Sequence, residues 1–141
     1  MSATPETLLH DELLERVRER AAGYDLDNAF FDDDLAELRD AGYLTALVPE
    51  GYGGLGWGFD EAVRAQSRLA GAAPATALAV NMHLVWTGVA KLLRDRGDDT
   101  LDFLLREAGQ GELFGFGISE AGNDLMLFGS RTAAEPQSGG G

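Results

Sequence analysis

The residues best equipped for chemistry lie late in the chain, in Gly115–Asp124, which reads Gly-Phe-Gly-Ile-Ser-Glu-Ala-Gly-Asn-Asp. Apolar residues and glycines alternate from Leu113 to Ile118, the two-residue period of a strand. Glycine weakens a strand, and one reason to keep it is close approach of a ligand to the main chain. Ser119 adds a hydroxyl, and Gly122-Asn123-Asp124 forms a turn. Free N–H groups and a hydroxyl beside apolar side chains suit a planar heterocycle with polar edges. A glycine-rich hairpin without a ligand is the alternative, and both readings stay open at this point.

Other chemistry-bearing residues are sparse. His83 sits mid-helix in a stretch without acidic residues between Glu61 and Asp95. It is either a core histidine bonded to a neighbour or a group that faces a ligand. Trp86, one turn on, reads as core. His10 and His83 are too few and too far apart for a metal cage, and the chain has 0 cysteines, so thiolate zinc, disulfides and a thiol nucleophile are all excluded. The acid-rich run Asp25–Asp34 fails as a calcium loop, because Phe30 stands where that loop needs glycine. Its aspartates at 32, 33 and 34 instead suit the positive end of a helix that runs through Asp40. Gly51-Tyr52-Gly53-Gly54-Leu55-Gly56 spells the dinucleotide fingerprint, but Pro49-Glu50 breaks the required leading strand and the next helix waits until about Asp60. This loop reads as structural.

The elements that must position these residues are mostly helices. Pro5 to Ala22 is expected as a helix capped by Thr4, with Leu9, Leu13, Leu14 and Val17 on its apolar face and Gly23 as its stop. Leu35 and Leu38 face inward on the next, which Gly42 closes. Tyr43–Val48 is an apolar connector ended by Pro49. Asp60 caps a helix to Ala70 with Val63 and Leu69 among its apolar positions. Pro74 opens a long helix to Arg94 or Arg96, whose inward stripe is expected to be Leu78, Met82, Val85, Val89 and Leu92 or Leu93. Gly97 breaks it, and a last helix spans Thr100–Ala108, capped by Asp98 or Asp99. Strands follow at Leu113–Ser119 and Leu125–Ala134. Two strands are too few for an independent sheet, so the chain is expected to stop inside a second domain.

At 141 residues the chain can hold one domain with a core. A net charge of −13 argues against a nucleic-acid partner. The N-terminus lacks the basic and apolar regions of a signal peptide. Ala72–Ala90 comes closest to a membrane span but falls short, so no membrane association is expected and the location is read as cytoplasmic.

Ala41-Gly42-Tyr43 followed by Val48-Pro49-Glu50-Gly51-Tyr52-Gly53-Gly54-Leu55-Gly56 resembles the proline-glutamate-tyrosine-glycine loop of the acyl-CoA dehydrogenase family. Ala77-Leu78-Ala79-Val80 with His83 resembles that family's long central helix. Gly111-Glu112-Leu113 leading to Gly117-Ile118-Ser119-Glu120 is similar to its passage into the β domain. Order and spacing agree over roughly residues 8–135.

The resemblance implies a mainly α fold: a helical N-terminal domain of about five helices at 1–111, followed at 112–141 by the first strands of a truncated β-barrel domain. It also implies FAD as cofactor, an acyl-CoA-type substrate, hydride transfer to the flavin, and a homo-oligomer in the full-length form. By position, Phe116 and Ile118 would border the isoalloxazine ring, and Ser119 takes the place of the family's threonine. Asn123, with His83, would lie toward the substrate. Ser119-Glu120-Ala121 departs from the family's threonine-glutamate-proline. The family's catalytic carboxylate belongs to a C-terminal domain, so no catalytic residue is expected among these positions and little activity is expected of them alone. A flavin-dependent monooxygenase of the same fold and a non-catalytic helical interaction module are the rival expectations.

Overall fold

A computed structural model describes residues 3–117 together with positions 120, 129 and 133. Six α-helices are assigned among them: α1 Pro5–Leu8, α2 Asp11–Asp27, α3 Asp32–Asp40, α4 Phe59–Ala72, α5 Pro74–Asp95 and α6 Asp102–Gly109. Two short 3₁₀ turns, Tyr43–Thr45 and Glu50–Tyr52, join α3 to α4.

The predicted first helix is two. Thr4 and Thr7 form a reciprocal capping box over α1. The chain then breaks at Leu9, and the His10 ring accepts the Leu13 N–H at 3.3 Å to cap α2. Gly23 does not stop α2, because four further residues follow before Asn28 turns left-handed at φ 47°. A glycine inside a helix costs only about 1 kcal/mol, which the buried face of Leu13, Leu14 and Val17 offsets. Pro74, Gly42 and Gly97 do punctuate the chain as expected, the two glycines at φ 83° and 87°. α4 begins one residue early, capped by the Glu61 carboxylate on the Gly58 N–H at 2.9 Å.

α5 is the centre. It packs on α4 along one side and on α6 along the other. Leu9, Val17, Leu38, Tyr43, Trp57 and Leu69 form the sealed heart of the main core. A smaller cluster of Ala90, Leu104 and Leu105 joins α5 to α6, with Tyr52, Trp86 and Phe114 against it. At 22 residues α5 is long and apolar enough to cross a membrane by length and composition, contrary to the expectation for this stretch. A buried core helix has the same signature, and the packing of α5 on α4 and α6 is of that kind.

The phase of α5 also differs from expectation. Its inward face carries Ala77, Val80, His83, Leu84, Thr87 and Ala90. Leu78, Val85, Val89 and Leu92 face outward, as does Val63 on α4. The reason is close helix approach: a Cβ on Gly88 would stand 3.1 Å from the Phe59 ring, so small residues must line that contact. Of the outward side chains, Val63, Val85, Val89 and Leu92 border an open groove of about 340 Å³ with Leu47, Phe59, Gln66 and Asn81.

Asp34 does more than favour the helix dipole. It is fully buried, accepting from Arg20 Nε at 2.7 Å and from the Thr76 hydroxyl at 2.9 Å. Past α6 the chain turns at Gly111, φ 100°, and residues 112–117 run without strand pairing. The strand expected to begin at Leu113 is therefore absent among the described residues, and the second predicted strand falls largely outside them.

Candidate functional site

The glycine loop sets the geometry on one side. Its amide groups are consumed by its own chain: Gly53 N–H bonds Glu50 O, Gly54 N–H bonds Pro49 O, Leu55 N–H bonds Thr45 O and Gly56 N–H bonds Val48 O, at 2.8 to 3.3 Å. Gly54 admits no side chain, since a Cβ would lie 2.1 Å from the Val48 oxygen. The loop thus spends these amides on itself rather than presenting them as a phosphate cradle would. Tyr52 fastens it to the helices, donating its hydroxyl to Asp102 at 2.8 Å while Arg94 lies 4.8 Å over its ring. Arg94 also pairs with Asp102, so one carboxylate joins the loop, α5 and α6. That hydrogen bond to a carboxylate raises the Tyr52 pKa above its ordinary value.

On the other side, residues 112–117 run along α5. His83 is buried and spans two elements: its Nε2 stands 2.7 Å from the Leu44 oxygen, and its Nδ1 accepts the Phe114 N–H at 3.2 Å. An acceptor at Nδ1 requires the hydrogen at Nε2, so the ring is neutral with one tautomer fixed. Burial pushes its pKa below the ordinary histidine value, against a smaller opposing pull from the Leu44 carbonyl. The Phe114 ring stacks on the imidazole with centroids 6.0 Å apart. One turn on, Phe116 tilts over Trp86 at 5.3 Å. Among the described residues Gly115 and Gly117 are bare, with nothing within 4 Å of a Cβ at either position. Trp86, Leu101, Phe103, Leu104, Phe114 and Gly115 line an open apolar depression of about 340 Å³ beside this segment.

The structure therefore brings two of the sequence-derived site residues, His83 and Phe116, to the same flank of α5. Ile118, Ser119 and Asn123 lie outside the described residues. His83 has both ring nitrogens engaged by main chain, so a ligand could use either one only by displacing Leu44 or Phe114. Trp86 and Phe114, which the sequence does not single out for a site, pack on the same flank. Trp86 is expected as core; it is partly buried against the Ala90, Leu104 and Leu105 cluster and meets Phe116 of the exit segment.

The family description "Acyl-CoA dehydrogenase, N-terminal domain" matches residues 7–101. The chain belongs to the acyl-CoA dehydrogenase family. Neither a curated protein nor a solved structure matches it. The matched span runs from the end of α1 through α5, and it contains the glycine loop, His83 and Trp86. In this acyl-CoA dehydrogenase family member the matched residues build the α5 wall. The bare segment that faces the wall lies beyond the match.

Proposed function

We propose that this chain is part of an FAD-dependent acyl-CoA dehydrogenase, and that its share of the active site is the flank of α5 bearing His83 and Trp86 with residues 112–117 laid along it. One observation carries the reading: Gly115 and Gly117 leave open main chain between aromatic side chains. A flat ring system needs apolar walls and a few placed donors. Phe116 supplies a wall here, and Trp86 stands behind it. Ile118 would extend the wall, Ser119 would offer its hydroxyl to the ring's polar rim, and Asn123 would face the substrate. FAD bound there would supply the acceptor for the hydride leaving the β-carbon of an acyl-CoA thioester. The apolar depression beside Gly115 would receive the substrate's hydrocarbon part, and the β-barrel portion would begin at residue 112.

The α-proton of such a substrate must go to a base. None of the carboxylates among the described residues is assigned that role. These 141 residues alone are therefore expected to show little or no dehydrogenation of acyl-CoA. Flavin uptake by the purified chain, followed by its visible absorbance, tests the binding claim. Turnover of an acyl-CoA with an artificial electron acceptor by this chain alone would overturn the inactivity.

A second reading has its own support. The groove along α4 and α5 exposes Phe59, Val63, Val85, Val89 and Leu92 together. Contiguous apolar surface of that kind marks a seat for other protein. An interaction module without flavin would associate through this face and take up no cofactor.

A further inference from the structure

We propose that His83, as its Nε2–H tautomer, is a positioning residue that latches residues 112–117 onto the helical unit. The latch has one donor and one acceptor, each used on main chain: Nε2–H to Leu44 O at 2.7 Å and Nδ1 from Phe114 N–H at 3.2 Å. Leu44 belongs to the first 3₁₀ turn, His83 to α5 and Phe114 to the exit segment, so one ring holds three parts of the fold in register. Among the described residues this is the hydrogen bond that ties positions 113–117 to the helical unit. The turn before it is held to α6 by Gly111 and Glu112 N–H, each bonded at 3.0 Å. The Leu44 bond is buried and the Phe114 bond partly so, which limits competition from water.

Chemistry makes the latch conditional. A proton added at Nδ1 would face the Phe114 N–H with a second donor, and the bond would be lost. Burial holds the ring neutral at ordinary pH. The charged groups further along α5 are engaged elsewhere: Lys91 pairs with Asp95 and Arg94 with Asp102 of α6. Tyr43 of the 3₁₀ turn donates to Gln66, and Glu112 of the exit segment is exposed. None of them hydrogen-bonds the imidazole. The consequence for cofactor binding rests on the flavoprotein reading, but the latch itself does not.

Nitrogen-15 spectra of the full chain test it without any ligand. The expected result is an Nδ1 resonance of the unprotonated, accepting type at neutral pH and a protected Phe114 amide. Acid should protonate His83 below the ordinary histidine value and release the Phe114 amide with the same midpoint, while amides inside α5 stay protected. His83→Phe keeps a ring but no acceptor. In that variant Phe114 amide exchange should rise roughly tenfold, the loss expected for one buried hydrogen bond. If the variant fails to fold, the wild-type titration decides alone. An Nδ1–H tautomer, or a Phe114 amide indifferent to His83 protonation, overturns the proposal. Absence of flavin binding, with the tautomer and coupled midpoint as expected, overturns only the cofactor reading.

Discussion

Arg20 on α2 reaches Asp34 on α3 with its Nε 2.7 Å from Oδ1, and Asp34 is wholly removed from solvent. Arg20 shares its guanidinium with Glu37 at 2.9 Å, and Arg16 holds the same Glu37 at 2.7 Å. The Arg16 hydrogen bond comes first among the causes that keep the Glu37 carboxyl below the usual carboxylate range. These contacts fasten α2 to α3, and Thr76 adds the start of α5.

Asp34→Ala should therefore destabilise the fold by about 2 kcal/mol, because Arg20 Nε and the Thr76 hydroxyl both lose their acceptor while Arg20 keeps Glu37. Thr76→Val should cost about 1 kcal/mol, one hydrogen bond. Urea unfolding of both variants measures this, and equal losses for the two would contradict the hierarchy.

Glycines separate into required and dispensable. Gly54→Ala would drive a methyl to 2.1 Å from the Val48 oxygen, and Gly109→Ala would drive one to 1.9 Å from the Tyr52 oxygen. Each should lower stability by about 3 kcal/mol or prevent folding. Gly23→Ala, inside α2 with nothing within 4 Å, should raise stability by roughly 0.5–1 kcal/mol. Thermal melts of the set give the answer.

The flavin reading makes a sharper demand of Gly117. A Cβ there meets nothing within 4 Å, so Gly117→Val should leave stability unchanged within about 0.5 kcal/mol. The valine would nevertheless occupy the open main chain on which the ring must lie, and flavin absorbance should vanish from the purified protein. Undiminished flavin content in that variant would sink the assignment of this segment.

Stability should depend on pH through His83. Its folded pKa lies below the ordinary 6.5 because burial disfavours the cation. The unfolded chain thus takes up the proton first. The neutral ring's contribution is complete above that ordinary value and is lost as pH falls through the folded pKa. Urea midpoints should drop as pH falls from 6.5 through the lowered folded value, and His83→Phe should flatten that part of the curve.

The groove on α4 and α5 predicts association. Val85→Glu removes an outward apolar side chain, 43% exposed, and should change stability by less than about 0.5 kcal/mol. Sedimentation should show less self-association, and binding of an apolar dye should fall. An unchanged profile in both would rule the groove out as the adhesive face.

Much of this protein was decided locally, in the sequence. Thr4 with Pro5, Gly42, Pro74 and Gly97 delimit helices because a cap or a backbone restriction acts within a turn of itself. The loop from Val48 to Gly56 and its neighbours carried the family, because a motif is a local string. Tertiary structure alone decided the phase of α5. Both of its faces are apolar at the same period, so spacing could not say which one meets α4, and the contact of Gly88 with Phe59 settles it. It also decided that α2 runs through Gly23, that Asp34 is sealed by Arg20, and that His83 is held by Leu44 and Phe114. Those outcomes depend on partners far away in the chain, and no local pattern encodes the distance between them.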